Sequence, residues 1–98
     1  MFYWYKKAAE LGDTGAQLNL GFMFQYGKGV EQDYEEAVTW YKKSAERGHP
    51  EAQASLAWMY ENGKGIEADL KEAIFWYKKS AEQGNTKAQL KLGIIYKN

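Results

Sequence analysis

Few residues in this chain are placed to do chemistry. Gly27-Lys28-Gly29 and Gly63-Lys64-Gly65 invite comparison with a phosphate-binding loop. Such a loop needs Gly-x-x-x-x-Gly-Lys-Ser/Thr between a strand and a helix, so that backbone N–H groups cradle the phosphate. Here glycine follows each lysine, the segments before them read as helices, and the tripeptide occurs twice. Both are read as linkers, with Gly27 and Gly63 ending a helix in the left-handed conformation. Val30 and Ile66 should tuck each linker back onto its helices. His49 is the one histidine, and cysteine is absent. That removes a multi-His or Cys/His metal set, a thiol nucleophile and any disulfide. His49 is expected to take a cap or loop role, not a ligand or general-base one. Glu35-Glu36 could suggest an acid–base pair, but Glu36 is read as the partner in a capping box. Glu10, Glu46 and Glu82 fall on polar helix faces beside lysines. The expectation is a chain with no catalytic, cofactor or metal residues.

Charge narrows the partners. Lys6-Lys7, Lys42-Lys43 and Lys78-Lys79 would stack into a ladder, but Glu10, Glu46 and Glu82 stack beside them. Lysine plus arginine and aspartate plus glutamate are both 13, for zero net charge. Neither nucleic acid nor an anionic membrane is an expected partner. No apolar run approaches the roughly 18 residues of a membrane span. Met1-Phe2-Tyr3-Trp4-Tyr5-Lys6-Lys7 lacks the order of a signal peptide, and the compartment stays open. At 45% hydrophobic and 16% aromatic, the 98 residues are too apolar for a disordered tail. They are also few for a round core.

A repeat resolves that tension. Shifted by 36 residues, the chain matches itself without a gap. Residues 12–47 and 48–83 are identical at 19 of 36 positions, too many for chance. Ala16-Gln17 recurs as Ala52-Gln53 and Ala88-Gln89, and Leu20 as Leu56 and Leu92. Trp40-Tyr41-Lys42-Lys43-Ser44-Ala45-Glu46 recurs whole at 76–82. Residues 1–11 read as the second helix of an incomplete repeat and 84–98 as the first helix of another. All of 1–98 is read as one repeat domain.

Each repeat reads as two helices. The first spans about 14–26 and again about 50–62, with Ala16, Leu20, Met23 and Phe24 at helical spacing. Asp13, His49 and Asn85 stand at its N-cap, and Pro50 at its first turn. The second begins at Asp33-Tyr34-Glu35-Glu36 and at Asp69-Leu70-Lys71-Glu72, both capping-box patterns. Gly48 and Gly84 close it. Trp4, Trp40 and Trp76, with Tyr5, Tyr41 and Tyr77, are expected to fill the space between helices. Short connections make neighbours antiparallel, and such hairpins stack into a solenoid.

The pattern Ala16-Gln17…Leu20-Gly21…Phe24…Gly27-Lys28-Gly29-Val30…Asp33…Glu36-Ala37…Trp40-Tyr41…Ala45…Gly48 resembles the Sel1-like repeat, a relative of the tetratricopeptide repeat. The copy from Ala52 to Gly84 matches it equally, with Ala57 where the family has glycine, a small-for-small change. The resemblance implies an all-α, right-handed α-solenoid that acts as a scaffold or adaptor and does no catalysis. It also implies that the first helices line a concave face. Aligned so, Leu18, Phe22 and Gln25, with Gly15, face the groove. Glu51, Trp58 and Glu61, with Ala54, follow in the next repeat, then Lys87, Ile94 and Lys97, with Leu90.

These groove positions vary between repeats while the frame does not, which suits recognition of a partner protein or peptide. Phe22, Trp58 and Ile94 lie about 200° around the helix from Leu20, Leu56 and Leu92. They form either an apolar anchor line or packing between adjacent repeats. The ends offer an alternative function. Phe2 and Trp4 at one end, and Leu92, Ile95 and Tyr96 at the other, belong to complementary half repeats. These could join copies head to tail or by a swap.

Overall fold

The computed structural model describes residues 2–97. It holds six helices: α1 (Phe2–Glu10), α2 (Thr14–Tyr26), α3 (Tyr34–Glu46), α4 (Pro50–Asn62), α5 (Leu70–Glu82) and α6 (Thr86–Lys97). Each packs chiefly on its neighbours in sequence. The result is an elongated body of 42 × 24 × 16 Å, an α-solenoid built by stacking helical pairs.

The expected punctuation is largely present. Asp13 accepts the N–H of Ala16 at 2.9 Å, and Asn85 that of Ala88 at 2.9 Å. Asp33 and Asp69 accept those of Glu36 and Glu72 at 3.1 and 3.2 Å. Gly27 and Gly63 sit in the left-handed region at φ 65° and 63°, each donating to the last turn of its helix. His49 takes its expected place, while the capping boxes need correction. His49 occupies the N-cap of α4 but makes no side-chain cap bond. Its buried Nδ1 has no partner. The capping boxes are only half made. The N–H of Asp33 donates to the Phe24 carbonyl at 2.8 Å, and that of Asp69 to Tyr60 at 3.0 Å. Those N–H groups fold the linker back onto the first helix and are no longer open to Glu36 or Glu72.

The core is the repeat frame. Leu20, Leu56, Ala37, Ala73, Tyr41, Tyr77, Ser44 and Ser80 are all buried. Ile66 packs on the main cluster, as do the half-buried Leu92 and Trp76. Trp40 and Tyr5 pack with Ala9 and Leu20 in a smaller cluster. Trp4 departs from this pattern. Its repeat position predicts core, yet it is 72% exposed, touching Tyr3 edge-on at 4.9 Å. No described helix lies on its outer side.

Polar clips fix the stacking. Gln17 Nε2 donates to the Ala9 carbonyl at 3.1 Å, Gln53 to Ala45 at 3.1 Å and Gln89 to Ala81 at 3.2 Å. Each ties a first helix to the end of the preceding second helix. In return, Ser44 Oγ donates to the Thr14 carbonyl at 2.9 Å and Ser80 Oγ to Pro50 at 2.7 Å. Each such bond is worth about 1 kcal/mol net, and more if one partner is left orphaned in the core. The second linker also locks onto the previous repeat. A Cβ on Gly65 would lie 2.4 Å from the Tyr34 carbonyl oxygen, and Lys64 Nζ stands 5.5 Å over the Tyr34 ring.

Candidate functional site

The first helices α2, α4 and α6 share one face, and an open trough of about 310 Å³ runs across it. From α2 come Phe22, Gln25 and Tyr26. From α4 come Glu51, Ala54, Ser55 and Trp58. Lys87 and Lys91 come from α6, with Asn85 at its cap, and Tyr77 lies behind. Of the residues the sequence placed in a groove, the trough unites Phe22, Gln25, Glu51, Ala54, Trp58 and Lys87.

Six do not line it, Gly15 and Leu90 among them. Leu18 is only 6% exposed and belongs to the main core cluster, with Ala52 and Leu56 of the next repeat. Its contact surface is already spent on the stack. Glu61 stands behind the trough, accepting from the Tyr77 hydroxyl at 2.7 Å and pairing with Lys91 at 3.5 Å. Ile94 and Lys97 are exposed further along α6. Ser55 and Lys91 were missed by the sequence reading. Their signal was spacing, because they lie four residues after Glu51 and Lys87 on the same helix face.

Phe22 and Trp58 both pack and present. Each is half-buried against the main cluster, and each lines the trough. The Phe22 ring meets Tyr41 edge-on at 5.8 Å and lies 6.4 Å from Tyr26. Behind this floor two buried tyrosines hold the helices together. The Tyr41 hydroxyl donates to Gln25 Oε1, and Tyr77 donates to Glu61. Burial pushes the Tyr41 hydroxyl well above its ordinary range, helped by Tyr26 and Glu51. Burial does the same to Tyr77, reinforced by its bond to Glu61. Both therefore stay neutral donors at physiological pH.

The end residues are unevenly engaged. Phe2 meets Phe24 edge-on at 5.8 Å, and Leu92 and Ile95 pack on the main cluster. Trp4 and Tyr96 are exposed, the latter with Lys78 Nζ 5.8 Å over its ring. Among the described residues, no three His, Asp or Glu side chains gather in a metal-holding group. No described helix is long and apolar enough to cross a membrane.

The Sel1 repeat family model matches residues 2–13, 14–49 and 50–85. A protective antigen present in uropathogenic Escherichia coli strains, displaying an SLR fold, is similar at 43% identity and TM-score 0.95. The match covers 97% of this chain and 20% of that one. A Sel1 repeat protein from Oxalobacter formigenes is 42% identical with TM-score 0.91, over 93% of this chain and 68% of that chain. Helicobacter pylori cysteine rich protein B is 26% identical with TM-score 0.85, over 89% and 65%. This chain thus spans 20% of the Escherichia coli antigen's length. No curated protein matches it. Sel1-repeat proteins are in general protein-interaction modules and typically non-catalytic. With the repeat model matching along nearly the whole chain and the solenoid superposing on solved Sel1-repeat structures, this chain belongs to the Sel1-repeat family.

Proposed function

We propose that the chain is an interaction module that holds a segment of a partner protein in the trough across α2, α4 and α6. One observation carries this reading. Positions that differ between repeats (Phe22 and Trp58, Gln25, Glu51, Lys87) converge on the trough, whereas of the positions identical in the two full repeats only Tyr77 reaches it. Phe22, Ala54 and Trp58 supply an apolar floor, with charged groups at its rim, as in interfaces where a few aromatic anchors dominate affinity. The test is selection of binders from a random peptide library, followed by affinity measurement on variants. Trp58→Ala and the double variant with Phe22→Ala should weaken binding by about 10-fold or more, with the helical signal kept. Phe22 also packs on Tyr41, so the single Trp58 variant guards against loss of fold. Unchanged affinity in both variants sinks the reading.

A second reading has one observation in its favour. A Cβ on Gly21 would run into the Tyr41 ring of the following helix, whereas a Cβ on Gly93, at the same repeat position, would meet nothing within 4 Å. A helix of the repeat's second type would fit against Gly93 as α3 does against Gly21, and α1 carries Tyr5 at the position matching Tyr41. Head-to-tail joining of copies would use that slot. Light scattering should then show mass rising with concentration, and Gly93→Phe should stop it. A constant mass overturns this reading.

A further inference from the structure

We infer that the trough selects a segment bearing an apolar side chain and, about three residues away, an acidic one; this rests on the trough being the binding site. The three first helices differ sharply in charge. Helix α2 has no charged residue, α4 carries Glu51 and Glu61, and α6 carries Lys87, Lys91 and Lys97 with no acid. Glu61 is already engaged by the Tyr77 hydroxyl and by Lys91. Lys87 makes no ion pair among the described residues. Of the two trough lysines of α6, Lys87 is thus the one with no ion pair among the described residues, while the α2–α4 side offers the apolar floor of Phe22, Ala54 and Trp58 and a single carboxylate, Glu51.

An apolar side chain enters that floor at the least cost in dehydration. The chain then runs on toward α6, because the trough is open and not a closed slot. The first helices α4 and α6 are not among the tightly packed pairs, so they stand at least the roughly 10 Å of directly packed helices apart. Extended chain covers about 3.3 Å per residue. About three residues beyond the anchor, a side chain reaches Lys87 and Lys91, which stand four residues apart on one helix face. A carboxylate there gains Lys87, and Lys91 in so far as it shares its charge with Glu61, whereas a lysine is repelled. Such rim charges act mostly through partner choice and association rate.

The experiment uses synthetic peptides of about 12 residues, amidated at the C-terminus so that only side chains supply acid. Each carries one Phe or Leu, with Glu, Gln or Lys placed three positions to either side. Binding is read by fluorescence anisotropy on the full chain and on variants confirmed to be helical. The Glu peptides should bind about 10-fold tighter than the Gln peptides and the Lys peptides weakest, with the gap shrinking as salt rises. Lys87→Glu should reverse the order, and Lys91→Gln should flatten it without placing a repelling charge beside Glu61. Binding that needs Trp58 but ignores the Glu, Gln or Lys identity overturns the acidic preference and leaves the trough reading standing. A preference that survives both lysine variants also overturns it. Binding unchanged by Trp58→Ala overturns the trough reading itself, and no binding in any arm overturns both.

Discussion

The repeats 12–47 and 48–83 share a frame and differ in how it is wired. In the first, Tyr41 packs beside Gly21 and donates to Gln25, a buried neutral pair at the edge of the trough. In the second, the matching positions are Ala57, Tyr77 and Glu61. There the tyrosine donates to a carboxylate that also holds Lys91 of α6. The same fold element is a structural lock in one repeat and a link from the core to the charged rim in the other. The stacking clips differ as well. Gln53 Oε1 accepts from Gln83 Nε2 at 2.8 Å. At the matching site Arg47 donates to the Gly12 carbonyl at 3.3 Å, and the buried Gln17 Oε1 is left without a partner. Identical packing thus tolerates different polar networks, one beside the trough and one at the stacking clips away from it.

The strongest contrast lies in the linkers. Gly65→Ala forces a Cβ onto the Tyr34 backbone at φ 72°, whereas at Gly29 the Cβ meets only the Met23 methyl at 3.5 Å. Gly65→Ala should cost about 3 kcal/mol or more, by adding overpacking to left-handed strain, and Gly29→Ala about 1–2 kcal/mol. Denaturant midpoints read the gap; equal losses would show that the second linker does not dock on α3.

Next comes Gly21→Ala, whose Cβ would lie 2.3 Å from a buried Tyr41 ring carbon. It should cost about 1–3 kcal/mol, more than the roughly 1 kcal/mol expected for Ala57→Gly from helix propensity. Calorimetric midpoints decide the order. If Gly21→Ala is neutral, Tyr41 can shift as freely as the second repeat allows, and the two repeats are equivalent.

Hydroxyl removal should separate the tyrosines. Tyr41→Phe orphans the buried Gln25 amide and should cost about 1–3 kcal/mol, while Tyr77→Phe leaves Glu61 its lysine and some water and should cost less. Alkali tests the pair together. Both hydroxyls are held neutral in the fold and titrate near pH 10 when unfolded. The unfolded state alone loses those protons first, so stability is full below about pH 10 and falls as pH rises beyond it. A double Phe variant should flatten that fall. A stability curve identical to that of the unmodified chain would contradict it.

The smallest effect is a repair. Arg47→Gln places in the first repeat the amide that Gln83 supplies in the second, so Gln17 Oε1 should gain a donor and the chain about 1 kcal/mol. A loss of stability would mean that the Arg47 bond to Gly12 matters more than the orphaned oxygen.

How much of this could be read beforehand varied by residue. Helix limits were legible because aspartate caps and glycine stops act locally, on backbone groups a few residues away. Phe22, Glu51, Trp58 and Lys87 were legible as trough residues because the resemblance puts the first helices on a concave face, where these positions change while the frame repeats. Leu18 was not, since its row on the helix is right but the next repeat covers it. Trp4 failed in the opposite sense, because its repeat position implies a neighbour that no described helix provides. The Gln17, Gln53 and Gln89 clips were visible as repeated letters without a role, for a glutamine names no partner until another helix is stacked against it.

The sequence by itself determined the period, the six helices, the residues of the frame and the absence of cysteine chemistry, because these depend on local propensity and on one pattern written twice. Tertiary structure alone decided which variable side chains meet in a trough, which tyrosine couples to charge and which linker docks on its neighbour. Those depend on distances between helices, and a hydrophobic period specifies which face turns inward without specifying what it meets there.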